Sequence, residues 1–246
     1  MSFSYSPKIV TDGLIFCYDP ANTKSFVSGS TNIYDLTKNN YDGQLINGPV
    51  YSGVNYGSIS LDATNQRINI PDIGAITDGT VSVWFKNNSE ITTGSAISYI
   101  FEFTSASTIV ASNFTVTLGN ITSLDDELLS VYLSSNSLST TVGRYDATAL
   151  QLSGTNLPSG WYNIVVSRDS LGTSVYFNNI LLGASAGTNI TTITTSTIPF
   201  TRSFFNLNKI GRVLNGLLSH VMIYNKGLTT AEVNRNYNAL KSRFGL

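Results

Sequence analysis

The sequence predicts an all-β fold: a two-sheet antiparallel jelly-roll sandwich with a short C-terminal α-helix. Three observations predict it. Short apolar runs rich in Val, Ile, Thr, Tyr and Phe recur along the chain, and such side chains suit a pleated, half-buried surface. Gly, Asn, Asp and Pro clusters separate these runs. Helical periodicity occurs in one stretch, at the very end. A chain of 246 residues is long enough to bury a core without staples. With no visible linker or internal repeat, 1–246 reads as a single domain with an N-terminal arm over 1–12.

The elements follow in order. Gly13 to Asp19 is a first strand, stopped by Asp19-Pro20, and Ile33 to Leu36 follows a polar loop. Asn39 to Gly43 is a turn cluster, Gly43 to Ile46 a short strand, and Asn47-Gly48-Pro49 a further turn. Ser58 to Leu61 and Gln66 to Ile70 alternate like the arms of a hairpin. Thr80 to Lys86 has period two, with Val81, Val83 and Phe85 on one face. Further strands are expected at Ile97 to Phe103, Phe114 to Leu118 and Leu128 to Leu133. Trp161 to Arg168 leads to Ser174 to Phe177, which Asn178-Asn179 joins to Ile180 to Leu182. Asn tolerates positive φ, so that pair suits a tight hairpin. Leu207 to Arg212 and Leu217 to Tyr224 read as the last strand pair, and Ser134 to Gly143 and Gly187 to Thr197 as loops or edge strands.

The helix is expected over 229–244. Thr229 to Glu232 is a capping box, and Leu228 can staple against Val233. Val233, Tyr237, Leu240 and Phe244 make one apolar stripe, and Gly245 stands where a helix stops.

Composition excludes several partners. Charged residues are 12% of the chain, about half the usual share of roughly 25%. Net charge is −1 with no Lys/Arg cluster, which argues against nucleic acid. No apolar run reaches the roughly 20 residues of a membrane span. The N-terminal residues lack the charged and apolar regions of a secretory signal. Four N-x-S/T sequons, at Asn87, Asn113, Asn120 and Asn189, read as chance in a Thr-rich chain.

Several segments resemble one family. "GLIFCYDPANTKSF", "IYDLTKNNYDGQLINGPVY" and "SISLDATNQRINIP" look like the start of a laminin G-like, concanavalin A-like domain. "VSVWFK" resembles its first core strand, and "LPSGWYNIVVSRDSLGTSVYFNNILLG" its Trp-led strand and hairpin. "NKIGRVLNGLLSHVMIYNKGLTTAEVNRNYNALKSRFGL" resembles its closing strand and helix. The likeness spans nearly the whole chain and is thinnest from Thr104 to Asn156. The ends, "YDPANTKSF" and "YNALKSRFG", resemble stand-alone domains of tailed-bacteriophage particles. That resemblance implies a virion component. The fold also hosts lectins, glycan-binding modules and glycosidases, so it does not decide function.

The family's hydrolases carry a Glu-x-Asp-x-Glu strand, where alternation brings two carboxylates to one face. The four glutamates here, Glu90, Glu102, Glu127 and Glu232, form no such pattern, and Asp125-Asp126-Glu127 reads as a solvated turn. Cys17 reads as a small buried hydrophobe, and His220, the single histidine, as a packed strand residue. The family's structural calcium uses an aspartate just before the closing strand's "VMIY"; Ser219 stands there, a poorer ligand for a hard dication. Asp19, Asp35 and Asp42 are the remaining metal candidates, with turn capping the preferred reading. Glu102, Tyr99, Tyr132 and Tyr145 are the ligand-binding candidates; Tyr51, Asn55 and Tyr56 are further glycan-type residues, and periodicity does not say which converge.

The expected function is therefore a non-enzymatic virion structural or interaction protein: capsid decoration, tail or fibre. Its partners would be other virion proteins and itself, in a symmetric array. The alternative is a module that recognises host surface glycans, and a remote one is a glycoside hydrolase. No cofactor is expected, and localisation follows the particle.

Overall fold

The computed structural model describes residues 8–62, 66–71, 73, 78–92, 98–104, 112–119, 128–135, 138–146, 149–170, 172–182, 203–205 and 214–246. The strands are β1 (Leu14–Tyr18), β2 (Asn32–Ile33), β3 (Gly43–Ile46), β4 (Val50–Ser52), β5 (Ser58–Asp62) and β6 (Arg67–Ile70). Next come β7 (Gly79–Asn87), β8 (Ser98–Thr104), β9 (Ser112–Leu118), β10 (Leu129–Ser135) and β11 (Leu138–Tyr145). The chain continues through β12 (Gly160–Asp169), β13 (Gly172–Phe177), β14 (Ile180–Leu181), β15 (Ser203–Phe205) and β16 (Asn215–Tyr224), then helix α1 (Thr230–Leu240). The expected strand at 207–212, the stretch 187–197 and the acidic run 125–127 lie outside the described residues.

The strands form two antiparallel sheets of eight. The first runs β14-β13-β12-β7-β16-β5-β4, with β1 also on β16; the second runs β11-β10-β9-β8-β15-β6-β3-β2. Alternation sends one side of each strand between the sheets. Val81, Val83 and Phe85 of β7 and Val166 of β12 meet Ile68, Val116, Leu129 and Val131 of the second sheet in one core. Each such side chain contributes about 1.5–3 kcal/mol by leaving water.

One expectation is corrected. Ser58 to Leu61 and Gln66 to Ile70 are not a hairpin: β5 pairs with β4 and β16, while β6 pairs with β3 and β15 in the other sheet. Both strands alternate because both face the same core, from opposite sides. The segment 138–145 is an edge strand, and Asn178 and Asn179 take φ of 47° and 69°, the left-handed values a tight hairpin turn requires.

The far side of the first sheet is also buried. Thr229 caps α1: its hydroxyl accepts from Glu232 N at 3.3 Å, and Thr229 N donates to Glu232 Oε2 at 2.9 Å. Leu228 and Val233 pack on Val165, Met222 and Tyr224. After Leu240 the chain tightens into a 3-10 turn, Lys241–Phe244, and Gly245 ends it at φ 76°. Phe244 stacks on Trp84 at 4.3 Å and tilts against Trp161 at 4.7 Å between ring centroids. The N-terminal arm joins this layer: Val10 N donates to Asn236 Oδ1 at 2.7 Å, and Tyr224 donates its hydroxyl to Val10 O at 3.0 Å.

Candidate functional site

With α1 and the arm covering the first sheet, attention falls on the far face of the second. Antiparallel partners share a face, so register identifies which positions stand together. Asn32 pairs with Gln44, Gln44 with Asn69, and Asn69 with Phe204. Phe204 pairs with Glu102, Glu102 with Thr115, Thr115 with Tyr132, and Tyr132 with Thr141. These positions form one row across the sheet. Their sequence neighbours Ile33, Leu45, Ile68, Phe101, Val116 and Val131 are buried in the core, so the row lies on the opposite face. Among the described residues, no apolar cluster covers this face.

Tyr99 joins it through a bulge. Three residues from Glu102, it would fall on the other side of a regular strand. A register shift between Tyr99 and Phe101 inserts one residue, so Tyr99 pairs with Thr117 while Glu102 pairs with Thr115. Thr115 and Thr117 are two apart and share a face. Register thus assigns Tyr99, Glu102 and Tyr132 to one face of the second sheet. Tyr145 is elsewhere: it pairs with Leu129 and is 0% exposed in the core, where its ring cannot be a platform for a ligand. Burial raises its phenol well above the ordinary range.

The row is open at the β2 end. Asn32 and Gln44 are exposed and Asn69 is half-buried, while Arg67 Nε donates to Asn69 Oδ1 at 3.1 Å and orients that amide. At the other end Thr117 and Ser130, on the same face, are shielded from solvent. The open end was missed as a site in the sequence, although Gln44 and Asn69 alternate with apolar residues. Of the other glycan-type residues, Tyr56 is exposed, Tyr51 stacks on Phe26, and Asn55 accepts from Trp161 Nε1 at 2.9 Å.

Asp35 and Asp42 cap the same loop, and Asp19 pairs instead with Arg243. Asp35 Oδ1 accepts from Cys17 N at 2.9 Å and Thr37 N at 3.0 Å; its Oδ2 accepts from Thr37 Oγ1 at 2.6 Å and Tyr41 N at 3.2 Å. Asp42 Oδ1 accepts from Asp35 N at 2.9 Å. Asp19 Oδ1 accepts from Ala21 N at 3.0 Å and lies 2.7 Å from Arg243 Nη1. Arg243 also donates through Nη2 to Gly57 O at 2.8 Å and Ser219 Oγ at 2.9 Å, and through Nε to Asn55 O at 2.8 Å. One carboxylate, two carbonyls and a hydroxyl are an oxygen set suited to a hard cation. A guanidinium fills it. Among the described residues no group of three or more His, Cys, Asp or Glu side chains converges to hold a metal.

Cys17 and His220 meet, with Sγ and Nε2 3.9 Å apart. Burial pushes the thiol up to about 12, helped by Asp19 and Asp35. Burial pushes the imidazole down to about 4; Asp19 opposes the shift and Arg243 adds to it. Both are neutral near pH 7, so the pair holds no thiolate nucleophile.

A two-sheet antiparallel sandwich with a helix-covered back is the architecture of the concanavalin A-like fold. Residues 62–234 match the laminin G-like family model of the concanavalin A-like lectin/glucanases superfamily, and the chain belongs to that family. No curated protein sequence matches it significantly. Among solved structures it is similar to Trypanosoma rangeli sialidase in complex with sialic acid (TM-score 0.63, 12% identity), covering 96% of this chain and 34% of that one. It is also similar to the botulinum neurotoxin serotype D ligand-binding domain in complex with N-acetylneuraminic acid (TM-score 0.66, 16% identity, 92% and 50% covered). Domain 4 of AbnA, an extracellular arabinanase from Geobacillus stearothermophilus, in complex with arabinotriose, matches at TM-score 0.57 and 17% identity over 92% of this chain and 98% of that one. The chain spans about a third of the sialidase and half of the toxin domain, and at these identities the likeness is one of fold.

Proposed function

We propose that this chain is a non-catalytic glycan-recognition domain that reads saccharides along the far face of its second sheet. The observation that carries the reading is the single row Asn32, Gln44, Asn69, Phe204, Glu102, Thr115, Tyr132 and Thr141. Amides present a donor and an acceptor side by side, which suits vicinal hydroxyls, and Phe and Tyr are the residue types that pack on a sugar ring. Glu102 is the one carboxylic acid in that row, whereas a retaining glycosidase needs two carboxyl groups roughly 5 Å apart. The likeness to structures that hold sialic acid and arabinotriose supports the reading. A glycan array followed by calorimetry tests it, and failure to bind any surface polysaccharide overturns it.

The setting we propose is a bacteriophage particle, with the chain a surface or tail component arrayed with itself and other virion proteins. Support comes from the resemblance of the two end segments and from the low charge. Absence of the chain from purified particles by mass spectrometry rules the setting out and leaves the glycan reading standing.

A further inference from the structure

Arg168 lies near the end of β12, and register places it opposite Gly79 on β7 and Thr173 on β13. The next row inward is Val81, Val166 and Val175, all in the core. Positions two apart share a face, so the Gly79-Arg168-Thr173 row lies on the core-facing side, at one end of the sandwich. Arg168 is 8% exposed and Thr173 1% exposed. Nε and Nη1 of Arg168 and the hydroxyl of Thr173 are all buried without a hydrogen-bond partner among the described residues. Asp78, whose charge acts on Arg168, makes no ion pair with it.

A buried guanidinium with unpaired N–H groups is costly, and so is an unpaired hydroxyl. Gly79, opposite Arg168 in the register, contributes no side chain to the row. An oxyanion there would accept charge-assisted hydrogen bonds over a floor of valines, where low polarity strengthens them. We propose that the Gly79-Arg168-Thr173 corner is a binding site for a carboxylate group. It stands apart from the sheet face proposed for glycans and does not rest on that reading.

The test is thermal unfolding of the full chain in sodium acetate against sodium chloride of equal ionic strength, with wild type, Arg168→Met and Thr173→Val. Acetate should raise the wild-type melting temperature saturably. Arg168→Met should abolish the acetate response while melting at or above wild type in chloride, because it removes an unpaired buried charge. Thr173→Val should need several-fold more acetate, and serves if Arg168→Met does not fold. Glucuronate and glucose identify the carrier: glucuronate acting at lower concentration than acetate indicates a sugar acid, and equal potency indicates a free carboxylate. Equal melting in acetate and chloride, an unchanged response in Arg168→Met, or a response to glucose overturns the proposal.

Discussion

The guanidinium of Arg243 lies 2.7 Å from the carboxylate of Asp19, joining the chain's last turn to the end of its first strand. Both side chains are mostly buried, at 13% and 19% exposure. Removing the cation leaves the Asp19 carboxylate without its counter-charge and the Asn55 and Gly57 carbonyls without the guanidinium donors. Arg243→Ala should destabilise the protein by about 3 kcal/mol, read from urea unfolding. The same change empties an oxygen set suited to a hard dication. Calcium against chelator should therefore shift the melting temperature of Arg243→Ala and leave wild type unmoved. A calcium response in wild type would contradict the assignment of Arg243 as the resident cation.

Phe244 is the clasp of the C-terminal segment. It stacks on Trp84 and tilts against Trp161, so two indoles meet one side chain. Phe244→Ala should cost about 3 kcal/mol. Tryptophan emission should shift to the red, and amide exchange should quicken across 230–244 ahead of the core strands.

His220 makes stability depend on pH. Its ordinary value is 6.5, and in the folded protein burial lowers it to about 4. Below pH 6.5 the unfolded chain binds a proton that the folded chain refuses. The stabilisation is complete above 6.5 and is lost as pH falls toward 4, by about 3 kcal/mol in all. Glu232, held below its ordinary 4.5 chiefly by the Lys226 ammonium, adds its own loss only under that value. The slope between pH 6.5 and 4.5 should flatten in His220→Gln, whatever that variant's stability at pH 7. An unchanged slope would show that another group titrates.

Tyr145 and the far face of the second sheet should separate cleanly. The Tyr145 hydroxyl is buried with no partner among the described residues. Tyr145→Phe should be neutral or stabilising by about 1 kcal/mol and leave saccharide binding alone.

Gln44→Ala and Asn69→Ala act the other way. Each should weaken saccharide affinity about tenfold, the loss of one or two polar contacts, while the melting temperature moves little. Calorimetry with the best array ligand reads the first effect and calorimetric melting the second. Binding that survives both substitutions would place the sugar elsewhere.

Much of this molecule was legible in its residues. Period two in Thr80 to Lys86 sends Val81, Val83 and Phe85 to the core, and the Thr229–Glu232 capping box starts α1. Asn178-Asn179 needs left-handed backbone for its turn and takes it. These features depend on neighbours in sequence, through strand alternation, helix caps and turn preference. Pairing across the chain is different. Whether two alternating strands form a hairpin or face each other from opposite sheets depends on long-range registry, as β5 and β6 show. A bulge near Ile100 moves Tyr99 to the side of Glu102, and alternation alone would have separated them. Arg243 reaches Asp19 across 224 residues, a distance local chemistry does not span. Local propensity thus determined the strands, the helix and which side of each strand is apolar. Tertiary structure decided which polar residues share a surface, because registry between distant strands is set by packing the whole core at once.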